Sequence, residues 1–145
     1  MGAHEEYDHV IKVSQVSVGA ESLASSYTVH SASLGFVVDE GENVLSLQRS
    51  FDEEDGVCMV LAPSQRCVYD EFRPLTLTRH SLGVRFTPVG QKIFGVSSVR
   101  FDFSVDEALW GDLRSTLVTI CAGRTFLKLL PEQPAVAGGP GPRLR

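Results

Sequence analysis

Four consecutive acids, Asp52-Glu53-Glu54-Asp55, followed by Gly56, are the densest group of chemically competent side chains in the sequence. Such a run invites a calcium reading. A calcium loop of the EF-hand type needs glycine at its sixth position and a bidentate glutamate at its twelfth. Counted from Asp52, glycine comes fifth and the twelfth residue is Pro63. The pattern fails, and a solvated turn is expected. The four histidines, His4, His9, His30 and His80, are scattered, and neither Cys-x-x-Cys nor His-Glu-x-x-His occurs. No metal site and no cofactor are therefore expected. Cys58 stands between Val57 and Met59 in an apolar run, without the base or electropositive setting a thiolate nucleophile needs. No Gly-x-Ser-x-Gly elbow or phosphate-binding glycine loop is present. The residues do not point to an enzyme.

Charge is more informative than motif. Residues 39–71 hold nine acids against Arg49 and Arg66, a net of −7. Residues 72–101 hold five bases (Arg73, Arg79, Arg85, Lys92, Arg100) and no acid. Two accounts remain open: the blocks meet across strands of one sheet, or the acidic block is a surface that attracts a basic partner. Nucleic acid is not the expected partner, since the net charge is −5. The aromatics beside Arg85 and Arg100 also fall on the inward parity of their strands.

The elements that must carry these groups are legible from periodicity. Val10 to Val18 alternates, then shifts phase, which predicts a strand with a bulge. Glu21 to Ser33 fits loop and extended chain equally. Phe36 to Val38 is a short strand, and Asp39 to Asn43 a hairpin loop centred on Gly41. Val44 to Phe72 reads as a three-strand antiparallel meander, with Leu45, Leu47 and Phe51 on one face and the acidic run at one end. Leu75–Arg79 and Leu82–Phe86 form a hairpin. Thr87-Pro88 opens a short helix that Gly95 stops, with Gly90 an unfavourable interior residue. Val99 to Val105 is an amphipathic strand. Asp106 to Cys121 is the clearest helix, capped by Ser104 or Asp106, with Leu109, Leu113, Leu117 and Ile120 in one stripe. Trp110 lies beside that stripe, either flanking the core or exposed as an anchor. Arg124 to Leu130 is a last strand.

The expected fold is α+β: a curved antiparallel sheet of about eight strands, one long C-terminal helix packed on a face, and one short helix. A single domain spans 1–130, and 131–145 reads as a flexible Pro/Gly-rich tail. The 145 residues are 43% apolar, enough for a core without staples. MGAHEEYDHV lacks a basic and then apolar leader, and no apolar run approaches ~20 residues. A cytoplasmic protein, not bound to membrane, with Cys58, Cys67 and Cys121 as reduced thiols, is expected.

The order of pieces from Leu34 to Gly123 resembles the immunity protein 10 family of bacterial polymorphic toxin systems. The likeness is carried by VLSLQRS, the acidic FDEEDG, VCMVLAPSQRCVYDEF with Tyr69, LTLTRHSLGVRFTPVGQKIFG, and FDFSVDEALWGDLRSTLVTI. Each piece alone also describes a generic strand or helix cap; the ordered set carries the resemblance. Gly90 departs from it. The resemblance implies a non-enzymatic inhibitor that binds a cognate toxin, often a nuclease with a basic cleft. It supplies no site residues. Charge and loop placement select Asp52, Glu53, Glu54, Asp55, Asp70 and Glu71, with Tyr69 as an aromatic anchor. The alternative is a different non-catalytic interaction module, a secretion chaperone or adaptor.

Overall fold

The computed structural model describes residues 6–22, 29–51 and 56–130, which form ten strands and two helices. The strands are β1 (His9–Lys12), β2 (Gln15–Ser22), β3 (Val29–Val37), β4 (Asn43–Ser50), β5 (Cys58–Leu61), β6 (Cys67–Tyr69), β7 (Phe72–Leu77), β8 (Ser81–Phe86), β9 (Ser98–Asp102) and β10 (Leu127–Leu129). Helix α1 (Pro88–Phe94) lies between β8 and β9, and α2 (Glu107–Ile120) between β9 and β10. The fold is α+β, but the strands make two five-stranded sheets, not one curved sheet of about eight. Their orders are β1-β9-β8-β7-β10 and β2-β3-β4-β5-β6.

Two crossings explain the difference. The phase shift expected as a bulge in the first strand is a corner. Val13 N–H donates to Asp102 O in the first sheet and Ser14 N–H to Val37 O in the second, both at 2.8 Å. The chain thus changes sheets between two adjacent residues. The second crossing is at Asp70, whose φ of 61° turns β6 into β7. Both edge strands of the first sheet, β1 and β10, run parallel to their neighbours β9 and β7. Alternation reports which face a residue takes, not which sheet it joins or the direction of its partner.

The inward faces meet in one core. Phe36 of β3 packs on Phe101 of β9 at 5.4 Å between ring centroids, and on Phe103 at 5.8 Å. Leu45, Leu47, Met59, Leu75, Leu82 and Val84 are fully buried around them, each worth roughly 1.5–3 kcal/mol. Helix α2 packs against β2, β3 and β4, burying Leu113, Leu117 and Ile120. Asp106, not Ser104, is its cap: the carboxylate accepts from Leu109 N at 2.8 Å. The helix has 14 residues and is followed by β10, so it is not the last element. Trp110 is half-buried, stacked on Phe103 at 6.5 Å with the Arg79 guanidinium 5.1 Å over its ring.

Gly90 is resolved by a close approach. A Cβ there would come within 2.5 Å of the Glu71 carbonyl oxygen. Thr87 caps α1 by accepting from Gly90 N, and Gly95 ends it at φ 78°. The cysteines correct an expectation. Cys58 and Cys67 share one face of the β5–β6 pair and form a disulfide, with Cα atoms 5.8 Å apart; Cys121 alone is a free, buried thiol. Among the described residues no helix is long and apolar enough to cross a membrane.

Candidate functional site

Of the selected residues, Tyr69 and Asp70 lie at one corner, where the start of β5 meets the crossing from β6 to β7. Cys58 stands opposite Tyr69 in the β5–β6 register. One residue further, backbone and side chain interlock: Asp70 N–H donates to Val57 O at 3.0 Å, and Val57 N–H donates to Asp70 Oδ1 at 2.9 Å. Arg124 Nε donates to the other carboxylate oxygen at 3.3 Å. Gly56 is required here. Its φ is 108°, and a Cβ would lie 2.5 Å from Asp70 Oδ2. Asp70 itself takes the left-handed conformation that aspartate tolerates better than most residues. Its carboxylate is thus committed inside the chain and fixes the start of β5 to the end of β6.

Glu71 is also engaged, on the other side. Its carboxylate accepts the Thr87 hydroxyl at 2.5 Å, and its carbonyl accepts Thr87 N–H at 3.2 Å. Tyr69 is different: it is 46% exposed on the outer face of β6. Asp52, Glu53, Glu54 and Asp55 lie outside the described residues. Their flanks, Phe51 and Gly56, bracket the run, and Gly56 is tied to this corner through the neighbouring Val57. Of the three selected residues that are described, Tyr69 presents its side chain outward, while Asp70 and Glu71 spend theirs on internal hydrogen bonds.

The ion pairs seen between described residues do not join the two charge blocks of the sequence. Arg100 pairs with Asp102 on its own strand at 2.8 Å, which raises the arginine's pKa further. Arg79 pairs with Glu107 at 3.6 Å, and Asp70 of the acidic block pairs with Arg124, beyond the basic block. Sequence reading missed Arg49 and Arg124 as structural residues. A signal existed for Arg49. It falls on the inward parity of Leu45, Leu47 and Phe51, and it is 6% exposed. For Arg124 no sequence signal exists, because Asp70 lies 54 residues away.

Among the described residues no three His, Cys, Asp or Glu side chains converge as metal ligands. Burial pushes the Cys121 thiol up to about 12, so it is protonated near neutrality and a poor nucleophile. The corner offers an exposed aromatic ring, Tyr69, on a hydrogen-bonded strand, next to the start of β5 that Val57 and Asp70 hold in place. No protein-family model, curated protein or solved structure matches the chain.

Proposed function

We propose that this chain is an immunity-type inhibitor that binds and neutralises a cognate bacterial toxin, a nuclease being the favoured class, by covering its active site or basic substrate cleft. It performs no reaction of its own and works in the cytoplasm, where the toxin would otherwise act. The observation that carries the reading is the half-exposed Tyr69 ring held beside the pinned start of β5, where the acidic run ends. A tyrosine on a rigid element loses little entropy on docking and is a typical interface anchor. Adjacent acids accelerate encounter with a basic surface at low salt. The ordered likeness to the immunity protein 10 family supplies the class of partner.

The test is kinetic. Replacing Asp52, Glu53, Glu54 and Asp55 together by Lys slows association with the cognate toxin domain, to be sought in the adjacent gene, and flattens its salt dependence. Unchanged association removes the corner from the interface. The rival reading, a secretion chaperone or adaptor docking along a sheet edge, draws on β1, an edge strand whose Val10 is 50% exposed. Under that reading Val10→Lys abolishes partner capture while the Lys substitutions at 52–55 leave it intact.

A further inference from the structure

The outer face of the second sheet carries a cleft of about 390 Å³ at the Asn43 end of β4, inside the ~300–1,000 Å³ range of ligand pockets. Its floor is Ser46 and Val60, which stand opposite each other in the β4–β5 register. One wall is Glu42 and Asn43; the other is the β5–β6 turn, including Pro63 and Gln65. Val60 and Pro63 give an apolar trough. Glu42 gives an anionic end, and among the described residues no Lys or Arg lines the cleft. Asn43 adds a polar side chain, whose amide, turned to suit its neighbours, points its nitrogen at Phe36 O, 2.9 Å away, and Leu45 O, 3.3 Å away.

We infer that this cleft receives one lysine or arginine side chain from the surface of the protein partner. The methylene stem lies along Val60 and Pro63, as long cationic side chains do on apolar surface. The head group donates to the Glu42 carboxylate in a charge-assisted bond. The inference rests on the proposed reading of a basic protein partner and extends it along the sheet. Tyr69, opposite Cys58, faces the same side as Val60, opposite Cys67. The cleft lies at the Asn43 end of the eight-residue β4, whose Ser50 end is roughly 25 Å away at ~3.3 Å per residue. That span suits a protein interface of about 800 Å² per partner.

An NMR titration of the 15N-labelled chain reads the cleft without the toxin. The probes are Nα-acetyl-lysine N-methylamide and its arginine counterpart, with the uncharged norleucine analogue and free cadaverine as comparisons. Saturable shifts at the amides of Asn43, Ser46, Ser64 and Gln65 with the cationic probes are expected. Affinity should fall at least threefold in Glu42→Gln and be lost in Val60→Phe, which fills the trough; spectral dispersion reports that both variants fold. Absent shifts, equal shifts from norleucine, or no loss in Glu42→Gln overturn the inference. Binding by cadaverine alone also overturns it, since the cleft would then be a free-amine site. With the toxin domain, unaltered affinity in Glu42→Gln alongside loss in the 52–55 Lys variant sinks the cleft and leaves the proposed function standing.

Discussion

Arg49 of β4 terminates helix α2: its Nη1 donates to the Ile120 carbonyl at 2.9 Å and to the Ala122 carbonyl at 2.6 Å. The last carbonyls of a helix have no partner within it, and they form the negative end of its dipole. No basic residue stands in the last turn of α2, so the cation comes from the sheet. The guanidinium also lies 4.6 Å over the Phe51 ring. One buried side chain thus fixes both where the helix stops and which strand it lies against.

Arg49→Ala should lower stability by about 2–3 kcal/mol, because charge-assisted bonds vanish and buried acceptors are left unmet. Arg49→Lys should fall between, keeping the charge but not the fork. Arg114→Ala, exposed on the same helix, should stay within ~0.5 kcal/mol. Urea unfolding midpoints decide; equal midpoints for Arg49→Ala and Arg114→Ala would show that the cap contributes nothing.

Two helical glycines should respond with opposite signs to alanine. At Gly111 an added Cβ meets nothing within 4 Å, so Gly111→Ala should stabilise by ~0.5–1 kcal/mol through helix propensity alone. At Gly90 the Cβ meets the Glu71 carbonyl at 2.5 Å and Phe86 at 3.2 Å. Gly90→Ala should therefore destabilise by ~1–3 kcal/mol despite the same propensity gain. Thermal melts of the pair provide the check.

Thiol counting tests the Cys58–Cys67 bond. Under non-reducing denaturation one cysteine per chain, Cys121, should alkylate; after reduction, three should. In the native state at neutral pH Cys121 should react only through opening of the structure, since it is buried. Three reactive thiols without reductant would refute the disulfide. The same count on chain taken from a reducing cytosol bears on compartment, because structural disulfides are uncommon there.

Alkaline and acidic limits follow from two groups with opposite shifts. The folded pKa of Cys121 is raised from 9.0 to about 12, mainly by burial. Above pH 9 the unfolded chain releases this proton and the folded chain holds it, so stability falls between pH 9 and about 12. Cys121→Ser should flatten that fall. The Asp8 carboxylate accepts the Ser97 hydroxyl and N–H, which hold its pKa below the usual 3.8. Its contribution is present above 3.8 and lost as pH drops through the lower folded value. Asp8→Asn should reduce the acid dependence of unfolding below pH 4, measured by denaturant melts at stepped pH.

Tyr69→Ala separates recognition from folding. The ring is about half exposed, so stability should change by under ~0.5 kcal/mol. Affinity for the toxin domain should fall tenfold or more if the ring is an anchor. Calorimetry of the variant against the wild type reads both, and unchanged affinity would remove Tyr69 from the site.

The sequence by itself determined the local grammar. Thr87-Pro88 and Gly95 bounded α1, the cap of α2 was narrowed to Ser104 or Asp106, and the alternation of Val99 and Phe101 with Arg100 and Asp102 set inward and outward faces. These are short-range effects of sterics, capping and period, and the residues involved lie within a few positions of one another. It also set the acidic run beside Gly56, by composition alone. Only the tertiary structure decided that the chain changes sheets at Val13–Ser14 and at Asp70. It alone decided that Asp70 is spent on Val57 and Arg124, and that Arg49 reaches 71 residues along the chain to close α2. Those outcomes depend on which distant groups arrive with unmet hydrogen bonds, and a one-dimensional pattern carries no record of that.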